Sequence, residues 1–253
     1  WIALFLLSEM FGAVAVTAAM YTGDEEILKW GMLYTVVMPI IILSGLAYAF
    51  FMCFIFRKAC IQPVEEHPIR TLRAMLGSFG FAVIGSTATW YATGKMMIGM
   101  PLSEVLTPEN LWYNMFMQVC VGVNEEGAFR IVPAIVAYGW SKPMQFMFLA
   151  LWAVLFGFMH RWAYGSLILT SGAIAFGILM SAAYLGLLEP VVPGRSPLGI
   201  SLAHTLYNLV VLIGSLTGIV SLLVWVFVFS MIMTLILFLI TRVSTLFSSF
   251  SES

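Results

Sequence analysis

Apolar runs near or above the roughly 20 residues needed to cross the hydrocarbon layer of a bilayer recur along this chain and leave little sequence between them. With no water to bond exposed N–H and C=O groups, each run has to satisfy its backbone internally, which an α-helix does. Composition points the same way: 62% of residues are hydrophobic and 9% charged, whereas a soluble domain has about 45–50% and about 25%. The expected fold class is all-α, a polytopic transmembrane helical bundle of about eight spans. It forms a single membrane-embedded domain over residues 1–253, with no sizeable extramembrane domain.

Predicted spans fall at 1–21, 30–56, 74–92, 108–139, 143–161, 165–188, 198–215 and 217–241. Residues 1–20 are too long for a signal-peptide core and include Glu9, so they are read as a span. Thr107-Pro108 and Ser141-Lys142-Pro143 look like helix starts, with proline in the first turn. The stretch from Glu189-Pro190 to Pro197 reads as a loop. Small residues four apart in span six, such as Ser166/Thr170 and Ala173/Gly177, permit close helix approach.

With both termini on the cytoplasmic side, the inner loops hold Arg57, Lys58, Arg70, Arg73, Lys142, Arg195 and Arg242, and the outer loops hold Lys29, Lys95 and Arg161. That asymmetry favours both termini inside. Trp30, Trp90, Tyr91, Trp140 and Trp162 fall at span ends, as in an interfacial belt. A formal net charge of -1 offers no basic patch for nucleic acid. Cys53, Cys60 and Cys120 form no CxxC pair and read as structural thiols.

Ionisable groups in the bilayer core cost at least about 2.5–3.5 kcal/mol each, so those that occur are functional candidates. Span four carries three within Asn124-Glu125-Glu126-Gly127-Ala128-Phe129-Arg130. On a helical wheel Glu126 and Arg130 lie about 40° apart and can pair, while Glu125 and Arg130 are about 140° apart. Glu126 is therefore the structural carboxylate and Glu125 the one free for chemistry. Asn114 and Gln118 lie within about 20° of Glu125, giving one polar stripe. Pro133 removes the backbone bond to the Phe129 carbonyl and predicts a kink beside the charges.

Span five ends in Phe156-Gly157-Phe158-Met159-His160, and span seven contains His204-Thr205-Leu206-Tyr207-Asn208. In each case the i,i+4 spacing puts both outer residues on one helix face. Two of the three histidines are thus intramembrane.

Taken in order, Glu125-Glu126-x-x-x-Arg130, Phe156-x-x-x-His160 and His204-x-x-x-Asn208 resemble the CAAX prenyl endopeptidase type II family, also called the CPBP or ABI family. The resemblance covers 125–208, within a motif core of 108–215; beyond it lie only hydropathy and span count. A second EExxxR string, Glu65-Glu66-His67-Pro68-Ile69-Arg70, sits in a charged inner loop interrupted by proline and reads as coincidence.

The resemblance implies an intramembrane endopeptidase. Glu125 would be the general base and His160 would orient the water. His204 and Asn208 would donate to the oxyanion, and Glu126 with Arg130 would support the helix. No cofactor is required on this reading. The same Glu125, His160 and His204 also make up the His₂Glu donor set of a catalytic zinc site. The expected partners are a membrane-associated peptide or protein substrate and the lipid bilayer. A non-catalytic subunit of a larger membrane assembly, or a proton-relaying transporter, are the rival readings. Depth poses one difficulty: by helical rise Glu125 and His160 lie ~20–26 Å from the inner helix ends, but His204 only ~10 Å. Span seven must start deeper, or the boundary of span five is misplaced.

Overall fold

The computed structural model describes residues 3–7, 10–11, 14, 22–23, 39–48, 68–93, 111–160, 167–189, 191–217 and 221–251, with backbone only at 86–93, 113–114, 167–169, 215–217, 221–223 and 244–251. Helices dominate these residues, and none of them is in a strand. The elements are α1 (Pro39–Tyr48), α2 (Pro68–Thr93), α3 (Leu111–Glu126), a π-helical turn (Gly127–Ile131), α4 (Val132–Val136), α5 (Lys142–Met159), α6 (Leu167–Tyr184), α7 (Pro197–Thr217) and α8 (Ser221–Ser251).

Among the described residues, three stretches are long and apolar enough to cross a membrane: Lys142–Met159, Pro197–Gly214 and Val224–Val243. Pro39–Tyr48 and Thr170–Tyr184 are shorter apolar helices. Most of predicted spans one and two, Glu9, Lys29, Lys95, Arg161, Cys53, Cys60, His67 and the chain ends lie outside the described residues.

Two boundaries move. Span three, expected from 74, begins at Pro68, where a proline costs nothing because its missing N–H is one the first turn leaves unbonded. Arg70 of the second EExxxR string is therefore helical rather than in a loop, while Glu65 and Glu66 lie outside the described residues. Span four, expected as one helix over 108–139, is three consecutive pieces, α3, the π turn and α4.

Helix α2 packs along α6, α7 and α8; α6 also packs along α5, and α7 along α3. The crossings are close because small residues face each other. Ala153 of α5 and Ala173 of α6 are fully buried. Gly157 lies so near the Thr170 carbonyl and Ile174 of α6 that a Cβ there would collide with both. Gly122 of α3 abuts the backbone of Thr205 in α7 in the same way. Without a hydrophobic drive between helices in lipid, this backbone proximity supplies the attraction.

The outer faces are apolar. In α8, Val224, Trp225, Val228, Phe229, Ile232, Leu235, Ile236, Leu239 and Ile240 are all exposed, and in α5 so are Met147, Leu151, Leu155 and Phe158. Such continuous apolar surface exceeds what a soluble monomer exposes and suits contact with acyl chains.

The connection from α6 to α7 packs partly into the bundle. Val192, Gly194 and Ser196 are buried, and Val192 packs against the Gly77 position of α2. The segment folds into the bundle, so α7 starts inside it with Ile200 and Ser201 already buried. By contrast, α5 starts outside, with Ser141 to Met144 exposed. His204, near the start of one helix, and His160, at the end of the other, can then reach the same depth.

Replacing Gly157 by valine should overpack the α5–α6 crossing and lower stability by about 1–3 kcal/mol. Thermal unfolding of the detergent-solubilised protein would show this as a lower midpoint; an unchanged midpoint would mean the crossing is looser than described.

Candidate active site

The site grows from the end of α3. After Glu126 the backbone widens by one residue: the Val132 N–H bonds to the Gly127 carbonyl, an i→i+5 pattern. Pro133 follows immediately and has no N–H for the α-helical bond to Phe129. The expected break beside the charges thus takes the form of a π turn, a feature often found at functional sites.

Arg130 lies in this turn and donates from Nη1 to Glu126 Oε1 at 3.1 Å, both side chains having no solvent exposure. The pairing expected from the i,i+4 spacing is therefore present. Its guanidinium also lies over the Phe156 ring, 4.3 Å from Cζ to centroid, and 5.7 Å from that of Phe176. Opposite charge on one side and ring faces on the other replace water around a buried cation.

His160 caps the C-terminus of α5. Its Nδ1 donates to the Phe156 carbonyl at 2.8 Å, and the two rings are in contact at 4.3 Å between centroids. That bond turns Nε2 towards Glu125, 3.3 Å from Oε1. His204 comes from α7: its Nε2 is 3.2 Å from Glu125 Oε2, and Nδ1 donates to Glu126 Oε1 at 2.6 Å. One imidazole thus bridges both carboxylates, while Phe176 walls it at 4.9 Å.

These contacts constrain the protons. A neutral imidazole has one N–H, and a carbonyl or an arginine-paired carboxylate accepts only, so Nδ1 carries the proton in both histidines. Both Nε2 atoms then converge on the Glu125 carboxyl group. A proton on Glu125 or on either Nε2 is shared along these contacts, which makes Glu125 the centre of a three-residue acid/base unit.

Two imidazoles and a carboxylate, with Nδ1 fixed by a carbonyl and a second carboxylate, are also the donor chemistry of a zinc site. As arranged, each Nε2 lies directly against a Glu125 oxygen, and no three His, Cys, Asp or Glu side chains among the described residues are placed to hold a metal ion.

The structure thus brings together Glu125, Glu126, Arg130, His160 and His204. Asn208 lies one turn beyond His204 on the same helix, partly exposed. Gln118 is half-buried, its nearest polar contact the Met117 sulphur, and the Asn114 side chain is outside the described residues. Glu125 is 5% exposed and the His160 side chain 20%, so the cluster opens at His160.

Two contributions escape a reading of the sequence. Phe156 was expected as a motif partner of His160, but it also shields Arg130. Phe176 has no motif at all. Asn124 donates to the Ile41 carbonyl at 3.1 Å and ties α1 to α3.

No family model, curated protein or solved structure matches the chain.

Substituting Arg130 by methionine should destabilise the bundle by about 3–5 kcal/mol, the cost of leaving a buried partner charge uncompensated. Adding Glu126→Gln should recover much of that loss. A double-mutant cycle by denaturant unfolding measures both; simple additivity would show that the two side chains are not coupled.

Proposed function

We propose that this chain is an intramembrane endopeptidase of about eight spans with both termini on the Lys/Arg-rich side, hydrolysing a peptide bond near the membrane by a water that Glu125 activates. The observation that carries this reading is the convergence of two histidine Nε2 atoms, from α5 and α7, on the two oxygens of Glu125. A buried carboxylate needed only for packing has no use for two titratable partners that can exchange its proton.

Glu125 takes a proton from water as the oxygen attacks the scissile carbonyl. The proton passes along the Glu125–histidine contacts and returns to the leaving amine, so the network ends as it began. His160 is the more exposed histidine and faces the incoming water. Asn208, partly exposed one turn from His204, is the free amide donor for the oxyanion. His204 can share that role only by releasing its Nε2 contact with Glu125. Glu126 and Arg130 hold His204 in place and do not touch substrate.

The opening at His160 favours a catalyst over a purely structural core, since water must reach the base. The motif resemblance to the CAAX prenyl endopeptidase type II family supports the same reaction class.

Reconstituted protein incubated with a panel of membrane-tethered peptides in ¹⁸O-water should yield a product whose new carboxylate carries one ¹⁸O atom. Glu125→Gln should lower that cleavage by about 10²–10⁴-fold, the range expected for a general base, while the folded bundle is retained. Full cleavage by Glu125→Gln would refute the role of Glu125. Activity should also survive a zinc chelator; loss on chelation and recovery with added zinc would recast Glu125 as a ligand.

A further inference from the structure

Helices α3 and α7 touch where Gly122 meets Thr205, and they run in opposite directions. The chain reverses in the turn after α4, again between α5 and α6, where Ala153 meets Gly177 and Gly157 meets Ile174, and again through the α6–α7 connection. On a helical wheel Gln118 and Glu125 are turned about 40° and 60° from Gly122 in one sense around α3. Asn208 and His204 are turned about 60° and 100° from Thr205 in that same sense around α7. Between antiparallel helices such turns fall on the same side of the contact. The four polar residues therefore line one groove, and the Glu125–His204 contact at 3.2 Å marks one end of it.

Gln118 and Asn208 share a level in this groove. Gln118 lies about 6 Å before Gly122 along α3, and Asn208 about 4.5 Å beyond Thr205 along α7, which is the same direction. Both are half-buried. The Gln118 amide has only the Met117 sulphur at 4.0 Å, and Asn208 has no hydrogen-bond partner among the described residues. The floor adds a third polar group: Thr205 is 7% exposed, and its Oγ1 is buried without a partner among the described residues. That hydroxyl lies 2.8 Å from where a Cβ on Gly122 would be, so glycine keeps the floor low. Unpaired polar groups inside an apolar bundle are costly, and three along one groove point to a polar occupant.

The spacing fits a polypeptide. Gln118 precedes Glu125 by seven residues, about 10 Å of helix, which is the length of about three residues of extended chain. A primary amide offers N–H donors and a carbonyl acceptor, the same pair that a peptide unit presents. An extended chain among apolar helices has to find such partners for its backbone, and main-chain bonds supply affinity whatever the side chains are. We infer that this groove binds the main chain of an extended peptide, with Gln118 and Asn208 hydrogen-bonding its N–H and C=O groups. The delivery of a bond about three residues further on to Glu125 rests on the hydrolase reading; the binding itself does not.

The test uses this chain in neutral detergent, carrying Cys53→Ala, Cys60→Ala, Cys120→Ala and Glu125→Gln so that no peptide is consumed. Single cysteines are placed by Gln118→Cys, Asn208→Cys or, about 160° around α3 from Gln118, Phe116→Cys. The readout is the rate of labelling by a charged methanethiosulfonate, with and without a lipid-tethered alanine-valine peptide. The first two cysteines should react, and saturating peptide should slow them roughly tenfold, because only the unbound fraction is labelled; Phe116→Cys should be unaffected. In a series of peptides with one backbone amide replaced by an ester, at least one should protect roughly fivefold more weakly, as loss of one hydrogen bond does. The two cysteines are on different helices, so if one variant fails to fold the other decides. Unreactive cysteines would overturn the inference by showing a dry groove, and labelling that peptide does not slow would overturn it by leaving a path for water alone. Equal slowing at Phe116→Cys, or protection indifferent to every ester, would overturn it as well. Protection by peptides that the Glu125 protein never cleaves would leave the groove standing and sink the hydrolase reading; cleavage without protection would do the reverse.

Discussion

The charged cluster inside this bundle depends on the pairing of Glu126 with Arg130, two opposite charges with no solvent exposure. Either one alone would cost several kcal/mol to bury. Together they form a neutral platform on which His204 can be fixed through its Nδ1 at 2.6 Å. The aromatic rings of Phe156 and Phe176 then contribute twice, facing the Arg130 cation and the flank of His204. The pair therefore serves two ends, holding a charge in an apolar interior and aiming the ring that meets Glu125.

Much of the helical character was legible in hydropathy, because an apolar run of membrane-spanning length has few alternatives to a helix. The Glu126–Arg130 pair was legible because it depends on spacing within one helix. What spacing cannot give is the relation between helices. Nothing in the sequence says that His204 touches both carboxylates, or that Phe176 walls it. The start of α2 at Pro68 was missed because a proline between charges reads as a loop, although the first turn of a helix accepts it. Helix lengths alone put His204 and Glu125 at different depths, and their contact is seen only in the structure.

The π turn has a consequence for the shape of the chain as a whole. Its ring of hydrogen bonds contains one residue more than an α-helical turn, so the helix below it is out of phase with the helix above by about 100°. The inserted residue acts as a rotary offset. It lets α3 direct Glu125 towards the histidines while α4 directs a different side, with Pro133, into the core. Removing one residue from Gly127–Ile131 would take out this offset and swing the two ends against each other by that same angle. The length of this segment, as much as the identity of its side chains, fixes where Glu125 points.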